Sequence, residues 1–193
     1  MRLVDDVKTG PACRFGDAHI YYVMHLIDRE GTLSRANLAR MLRIGEGSVR
    51  TIVEILRRWG MVDVRKTGIS LTDEGRGFLN DISMRMVDVP QSEYVAGTYQ
   101  QGILVNGVAG RITDGMSQRD RGIIAGATGA SVFLLRDGSL IMPMNWNMDY
   151  RDPDFAGEIR RTGMSDSDVL VVSGADDPDT AAVSAIAIGL DLL

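Results

Sequence analysis

Thiol and imidazole chemistry is nearly missing from this sequence. There is one cysteine, Cys13. No disulfide can close within the chain, and a reducing compartment is expected. There are two histidines, His19 and His25, six residues apart and without ligand spacing. They point to surface or core positions and not to a metal. No Cys or His follows His25, so any catalysis in the second half would rest on carboxylates alone. A GxSxG nucleophile elbow is absent too. The glycines at Gly107–Gly110 and Gly126–Gly129 form neither a GxGxxG turn nor a Walker loop, so no nucleotide cofactor is expected. No apolar run reaches the roughly 20 residues a membrane helix needs. The opening MRLVDDVKTG has no signal-peptide pattern. A cytoplasmic protein without metal, cofactor or membrane partner is the expectation. Lysine is scarce as well, with 2 against 19 arginines. That bias suits planar phosphate and base contacts, although genomic base composition explains it equally well.

What is present suggests two domains. The chain has 193 residues, 45% of them apolar, enough for two cores of ordinary size. The net charge of -5 is unevenly spread. Residues 1–86 hold 14 basic and 11 acidic residues, and the rest holds 7 and 15. Within 34–66 the count is 8 basic against 3 acidic. A basic segment beside an acidic half fits a nucleic-acid contact at one end only.

The most informative stretch runs from Ser34 to Gly75. In GEGSVRTIVEILRRWG, Val49, Ile52, Val53 and Leu56 fall at i, i+3, i+4 and i+7, one face of a helix. Ile55 lies off that stripe. Gly45 and Gly47 break the chain before the helix, and Gly60 stops it. Gly47, Thr51, Glu54 and Arg58 point away from the stripe, with Ser48 and Arg50 on its flanks. Small or hydrogen-bonding groups thus come early and arginines late. A recognition helix needs that order, because its first residues reach base edges while later cations meet phosphates. Arg50 can address a guanine edge with two hydrogen bonds, and Ser48 and Thr51 are short enough for close approach. Glu54 fits only by accepting from a cytosine amine or by pairing with Arg50 or Arg58. The preceding helix, about Ser34 to Leu42, turns Leu38, Met41 and Leu42 inward and shows Arg35, Arg40 and Arg43. After Gly60, Met61 to Val64 and Ile69 to Leu71 read as strands joined at Thr67-Gly68. Arg65 and Lys66 would sit at the tip. Thr72 is a suitable N-cap for a helix carrying Phe78, Leu79 and Ile82.

The segments LARML, GEGSVRTIVEILRRWGMV and GISLTDEGRGFL resemble the winged-helix DNA-binding domain of bacterial and archaeal transcription regulators. The resemblance covers residues 15–86, under half of the chain. It implies double-stranded DNA as partner, with Arg35, Ser48, Arg50, Thr51, Arg58, Arg65 and Lys66 as contacts. LTDEG is also similar to iron-dependent repressors. Their His, Cys and Glu ligands have no counterpart here, so metal sensing is not carried over.

The remaining elements follow in order. Residues 1–16 read as an arm broken at Gly10-Pro11. Asp17 to Glu30 is a helix with Ile20, Val23, Met24 and Ile27 inward. The helix after Thr72 is expected to reach about Met86, with VDVPQSE (87–93) as linker and domains at 1–88 and 89–193. Beyond it, Tyr94–Tyr99 and Ile103–Val108 suggest strands, and SQRDRGIIAGA a helix opening at Ser117. SVFLLRDGSLIMP is a hairpin around the Asp137-Gly138 turn pair. Residues 145–154 look like a loop, and Pro153 to Arg161 like a short helix. DVLVV is apolar on both faces and so a central strand, and Pro178–Leu192 is an apolar helix. The fold class is α+β: a winged helix-turn-helix followed by an α/β sandwich domain.

In that second half, Gln118, Arg119 and Asp120 stand out. Asp120 shares a helix side with Met116, Ile123 and Ile124, so it could offer a carboxylate to a ligand from a core-facing position. Alternatively, Ser117-x-x-Asp120 is a variant capping box. Asp176 and Asp177 follow the central strand at a helix N-terminus, where α/β domains bind ligands. The helix dipole also favours acids there without any ligand. The course QRD…IIAGATGAS…RDGSLIMP and DVLVVSGADDPDTAAVSAI is similar to the second domain of archaeal two-domain winged-helix proteins of unknown function. That family implies no established ligand. The reading is a DNA-binding regulator, a homodimer, whose second domain senses a small-molecule effector or dimerises. The alternatives are a carboxylate enzyme with an accessory winged helix, or a protein-interaction winged helix.

Overall fold

The computed structural model describes residues 15–144 and 146–193. The arm up to residue 14, with Cys13, therefore lies outside the described residues. The chain divides into two compact units between Ile82 and Ser83.

The first unit comprises α1 (Asp17–Glu30), α2 (Arg35–Leu42), α3 (Glu46–Arg58), β1 (Val62–Arg65), β2 (Gly68–Leu71) and α4 (Asp73–Asp81). Ile20, Val23, Met24 and Ile27 of α1 are buried, as their spacing requires. Ser34 caps α2 by accepting from the Asn37 amide at 3.1 Å. Thr72 caps α4 by accepting from Gly75, and its own hydroxyl donates to the Gly60 carbonyl at 2.6 Å. That second bond ties the start of α4 to the end of α3. The hairpin pairs Val62 with Leu71 and Arg65 with Gly68. Leu33 pairs with Ile69 through a single isolated bridge of two backbone hydrogen bonds.

Gly68 is fixed by the bridged segment Thr32-Leu33 and not only by a turn. Its φ is +138°, and an added Cβ would lie 2.6 Å from Thr32 Cγ2 and 3.0 Å from the Leu33 carbonyl oxygen. The turn itself is Lys66-Thr67, one residue earlier than the expected Thr67-Gly68. α3 starts at Glu46, so Gly47 lies within its first turn and Gly45 is the cap.

The second unit is one six-stranded antiparallel sheet with helices on both faces. Its strands are β3 (Met84–Val87), β4 (Tyr99–Val105), β5 (Gly129–Arg136), β6 (Ser139–Met142), β7 (Trp146–Asn147) and β8 (Val169–Ala175). Their order is β3-β4-β8-β5-β6-β7. The helices are α5 (Met116–Ile124), α6 (Met148–Arg151), α7 (Pro153–Arg160) and α8 (Pro178–Leu192). On one face, Met148, Phe155 and Ile159 of α6 and α7 pack on Leu104, Phe133, Leu170 and Val172. The Phe133 and Phe155 rings meet at 5.3 Å. On the other face lie α8 and α5. α8 comes close enough that a Cβ on Gly189 would sit 2.8 Å from Ile103. All seven residues of β8 are buried, as expected for a strand covered on both faces. The Asp137-Gly138 pair has φ of 51° and 75°, the left-handed pair a type I′ hairpin turn needs.

Several expected elements are corrected. α4 stops at Asp81, and Met84–Val87 is a strand paired with β4. Residues read as a helix end and a linker are therefore part of the sheet. The pairing partner, Gly102–Val105, is distant in sequence, and tertiary pairing outweighs local pattern. The strand expected at Tyr94–Tyr99 is irregular, and the next strand begins at Tyr99 and ends at Val105. The loop expected at 145–154 holds β7 and α6. α5 opens at Met116 with Gly115 as its N-cap, so Ser117 is not a cap. Instead the Asp114 carboxylate accepts from the Met116 amide at 2.9 Å.

One ion pair holds the far hairpin. Arg160 donates from both terminal nitrogens to the two Asp149 oxygens, at 2.5 and 2.9 Å, and also to the Gly138 carbonyl. Asp149 also accepts from the Leu140 amide. The Arg160 hydrogen bonds hold the Asp149 carboxyl below its ordinary value.

Candidate nucleic-acid interface

The helix-turn-helix is built from α2, a three-residue turn and α3. Arg43 takes the left-handed conformation, φ 52°, and so reverses the chain after α2. Gly45, extended, opens α3. Leu38 and Leu42 of α2 are buried, as are Val49, Ile52, Val53 and Leu56 of α3. Ile55 is buried as well, at 4% exposure, although it lies off the simple stripe. α3 packs against both α2 and β1, so its buried arc is wider than a single stripe. Glu46 and two arginines, Arg57 and Arg58, lie at opposite ends of α3, each placed favourably for the helix dipole.

The face left outward is the one the sequence singled out. Arg50, Glu54 and Arg58 are exposed, and Ser48 and Thr51 are half-buried beside them. The Thr51 hydroxyl donates to the Gly47 carbonyl at 3.1 Å, which leaves its oxygen as an acceptor. Among the described residues Glu54 makes no ion pair, so neither Arg50 nor Arg58 neutralises it. Arg35 is exposed in the first turn of α2. At the hairpin, Lys66 lies in the exposed turn, and Arg65 donates to Asp63 at 3.1 Å with both side chains exposed. Such an exposed pair is weak, and a phosphate can replace the carboxylate.

Three exposed groups here were not among the expected contacts. Arg57 precedes Arg58 in the last turn, exposed on the flank that also carries Arg50. Trp59 is 43% exposed and Val64 38%. Both break the rule that apolar residues in these elements face the core, and nothing in the sequence pattern separates them from core residues.

The expected ligand residues of the second unit do not converge. Asp120 and Asp176 are exposed. Asp177 caps α8, accepting from the Thr180 amide at 3.0 Å and from its hydroxyl at 2.8 Å. The core-facing side imagined for Asp120 is the outward side of α5, where Met116, Ile123 and Ile124 are 51%, 44% and 79% exposed. A cavity of about 140 Å³ opens beside the start of α5. It is lined by Arg119 and Asp114 with Met116, Met142, Pro143 and Met144 among its walls. Arg119 is thus the one expected ligand residue that borders it. Among the described residues no three His, Cys, Asp or Glu side chains come together as a metal site. No helix among them is long and apolar enough to cross a membrane.

Comparison with known proteins also finds two parts, although the first match runs a few residues past the division after Ile82 and into β3. Residues 18–86 match the CggR N-terminal DNA binding domain. Residues 95–192 match a domain of unknown function, DUF4443. The hypothetical protein PH0730 from Pyrococcus horikoshii OT3 has a similar structure, with a TM-score of 0.72 at 23% identity over 93% of each chain. At that identity the likeness shows a shared fold across both units. No curated protein matches the chain.

Proposed function

The chain belongs to the DUF4443 family, and for it we propose a role as a transcription regulator that binds double-stranded DNA through α3. The single observation that carries this reading is the uncovered outer face of α3, with Arg50, Thr51 and Arg58 available and the hairpin cations beside it. The match of residues 18–86 to a domain described as DNA binding supports it. α3 enters the major groove with Ser48, Arg50 and Thr51 toward base edges. Arg35, Arg58, Arg65 and Lys66 meet phosphates.

The second unit acts by binding and pairing and not by catalysis. The carboxylates that the sequence singled out there, Asp120, Asp176 and Asp177, are exposed or engaged in capping. A small effector would have to bind the DNA-competent and incompetent arrangements unequally to regulate. The test is selection of bound fragments from genomic DNA by the purified chain, with and without a metabolite extract. Enrichment of one sequence class supports the reading. Equal retention of all fragments at every salt concentration, or none at low salt, overturns it.

A further inference from the structure

The outward face of α5 carries an ordered pattern that no other element among the described residues covers. α5 packs by its small side: Gly122 is buried, and a Cβ there would lie 3.0 Å from both Ala130 and Ile188. On the opposite side, Met116, Arg119, Asp120 and Ile123 are all exposed. Their spacing is i, i+3, i+4 and i+7, so they form one stripe down the helix. The stripe is apolar at its two ends and carries opposite charges at its centre. Among the described residues neither Arg119 nor Asp120 has an ion partner, whereas Arg121, on the far side of the helix, is bound to Asp191 of α8 at 2.8 Å.

We propose that this face is where two copies of the chain meet, α5 against α5, antiparallel about a two-fold axis between Arg119 and Asp120. A two-fold contact must be self-complementary, so that residue i meets j and j meets i. This stripe satisfies the condition in one register. Met116 meets Ile123 of the second copy, and Ile123 meets its Met116. Arg119 meets the second copy's Asp120, and Asp120 its Arg119. Centring the axis on Asp120 instead would place two carboxylates together, which disfavours the neighbouring register. Ile124, at 79% exposure, and Met144, at 76%, extend the apolar area on either side. Met144 also walls the cavity that begins at Met116, so the surface there is indented and can take a side chain from the second copy.

A helix of nine residues is short for a stable dimer, which buries about 800 Å² per partner. Association of the free protein is therefore weak, and a two-fold DNA site that holds both winged helices strengthens it by raising the effective concentration. This step rests on the DNA-binding reading, but the pairing of free protein does not.

The test is sedimentation equilibrium of the full chain over roughly 1–100 µM, the range in which a small interface associates. The wild type should self-associate reversibly to a dimer. Arg119→Asp and Asp120→Arg alone each place like charges across the axis and should weaken association about tenfold or more. The double exchange R119D/D120R restores opposite charges and should return to within about threefold of wild type. Ile123→Glu should leave a monomer with an unchanged circular dichroism spectrum, since the side chain is exposed. A wild type that stays monomeric overturns the proposal, as does a dimer indifferent to these exchanges. A salt-sensitive monomer that still selects DNA would leave the regulator reading standing and remove only this surface. A dimer of the expected kind with no DNA affinity would do the reverse.

Discussion

Arg50 is the residue on which sequence preference should depend. It is exposed on the flank of the outward face, within the first turns of α3. Arg50→Ala should cost about 1–3 kcal/mol on the preferred site and little on random DNA, so that preference narrows. Competitive fluorescence anisotropy measures both, and an unchanged ratio would remove α3 from the groove. Arg65 and Lys66 should behave otherwise, because phosphate contacts carry no sequence information. Losing either should weaken binding to every sequence and flatten the salt slope by about 0.9. A third expectation concerns stability. Gly68→Ala pushes a methyl into the Thr32-Leu33 segment at a φ of +138°. It should destabilise the first unit by about 2 kcal/mol or more, read from urea denaturation. Glycine at this position was visible in the sequence only as a turn signal. Its actual constraint is the Thr32-Leu33 segment, far earlier in the chain, which no local pattern reveals.

Among elements, the legible ones are those whose signals are local. α1 and α3 announce themselves by periodicity, α8 by an apolar run opened by Pro178, and the β5–β6 hairpin by Asp137-Gly138. The misread ones depend on distant partners. β3 exists because β4 is there to pair with it. α5 shows the limit of amphipathic reading, since its large apolar residues face outward. Gly122 lets the small side approach β5 and α8 closely, and a count of apolar residues cannot tell which side is packed. The Asp149–Arg160 pair gives an element-scale prediction. Its Arg160 hydrogen bonds hold the Asp149 carboxyl below the ordinary 3.8. The folded chain thus binds that proton less tightly than the unfolded one. The stabilisation is complete above the unfolded value and is lost as pH falls through the folded value. Both side chains are about a third exposed, 29% and 37%, so the contribution is screened and should be about 1 kcal/mol. Asp149→Asn should lower stability near neutral pH by that amount and flatten the acid limb below about pH 4. The Leu140 amide, which donates to Asp149, should exchange faster in the variant. An unaltered acid limb would mean the pair contributes nothing measurable.

For the whole molecule, charge is distributed so that the two halves act oppositely on DNA. Residues 34–66 carry 8 basic and 3 acidic side chains, while the chain beyond residue 86 carries 7 basic and 15 acidic. Attraction is thus concentrated on α2, α3 and the hairpin, and the second unit reduces affinity for DNA that does not fit. The salt dependence then reports the number of chains engaged. Each neutralised phosphate contributes about -0.9 to the slope of log K against log salt. Eight cations of one chain's segment can therefore give a slope no steeper than about -7. If two copies joined through α5 sit on one two-fold site, the slope on that site should exceed this limit, and binding should be steep in protein concentration. Ile123→Glu should bring the slope back below the limit and make binding simply hyperbolic, without altering which base pairs are preferred. Titrations at four or more salt concentrations, for wild type and variant on the same duplex, measure this. A wild-type slope within the single-chain limit on a site with two half-sites would mean that one copy occupies it at a time.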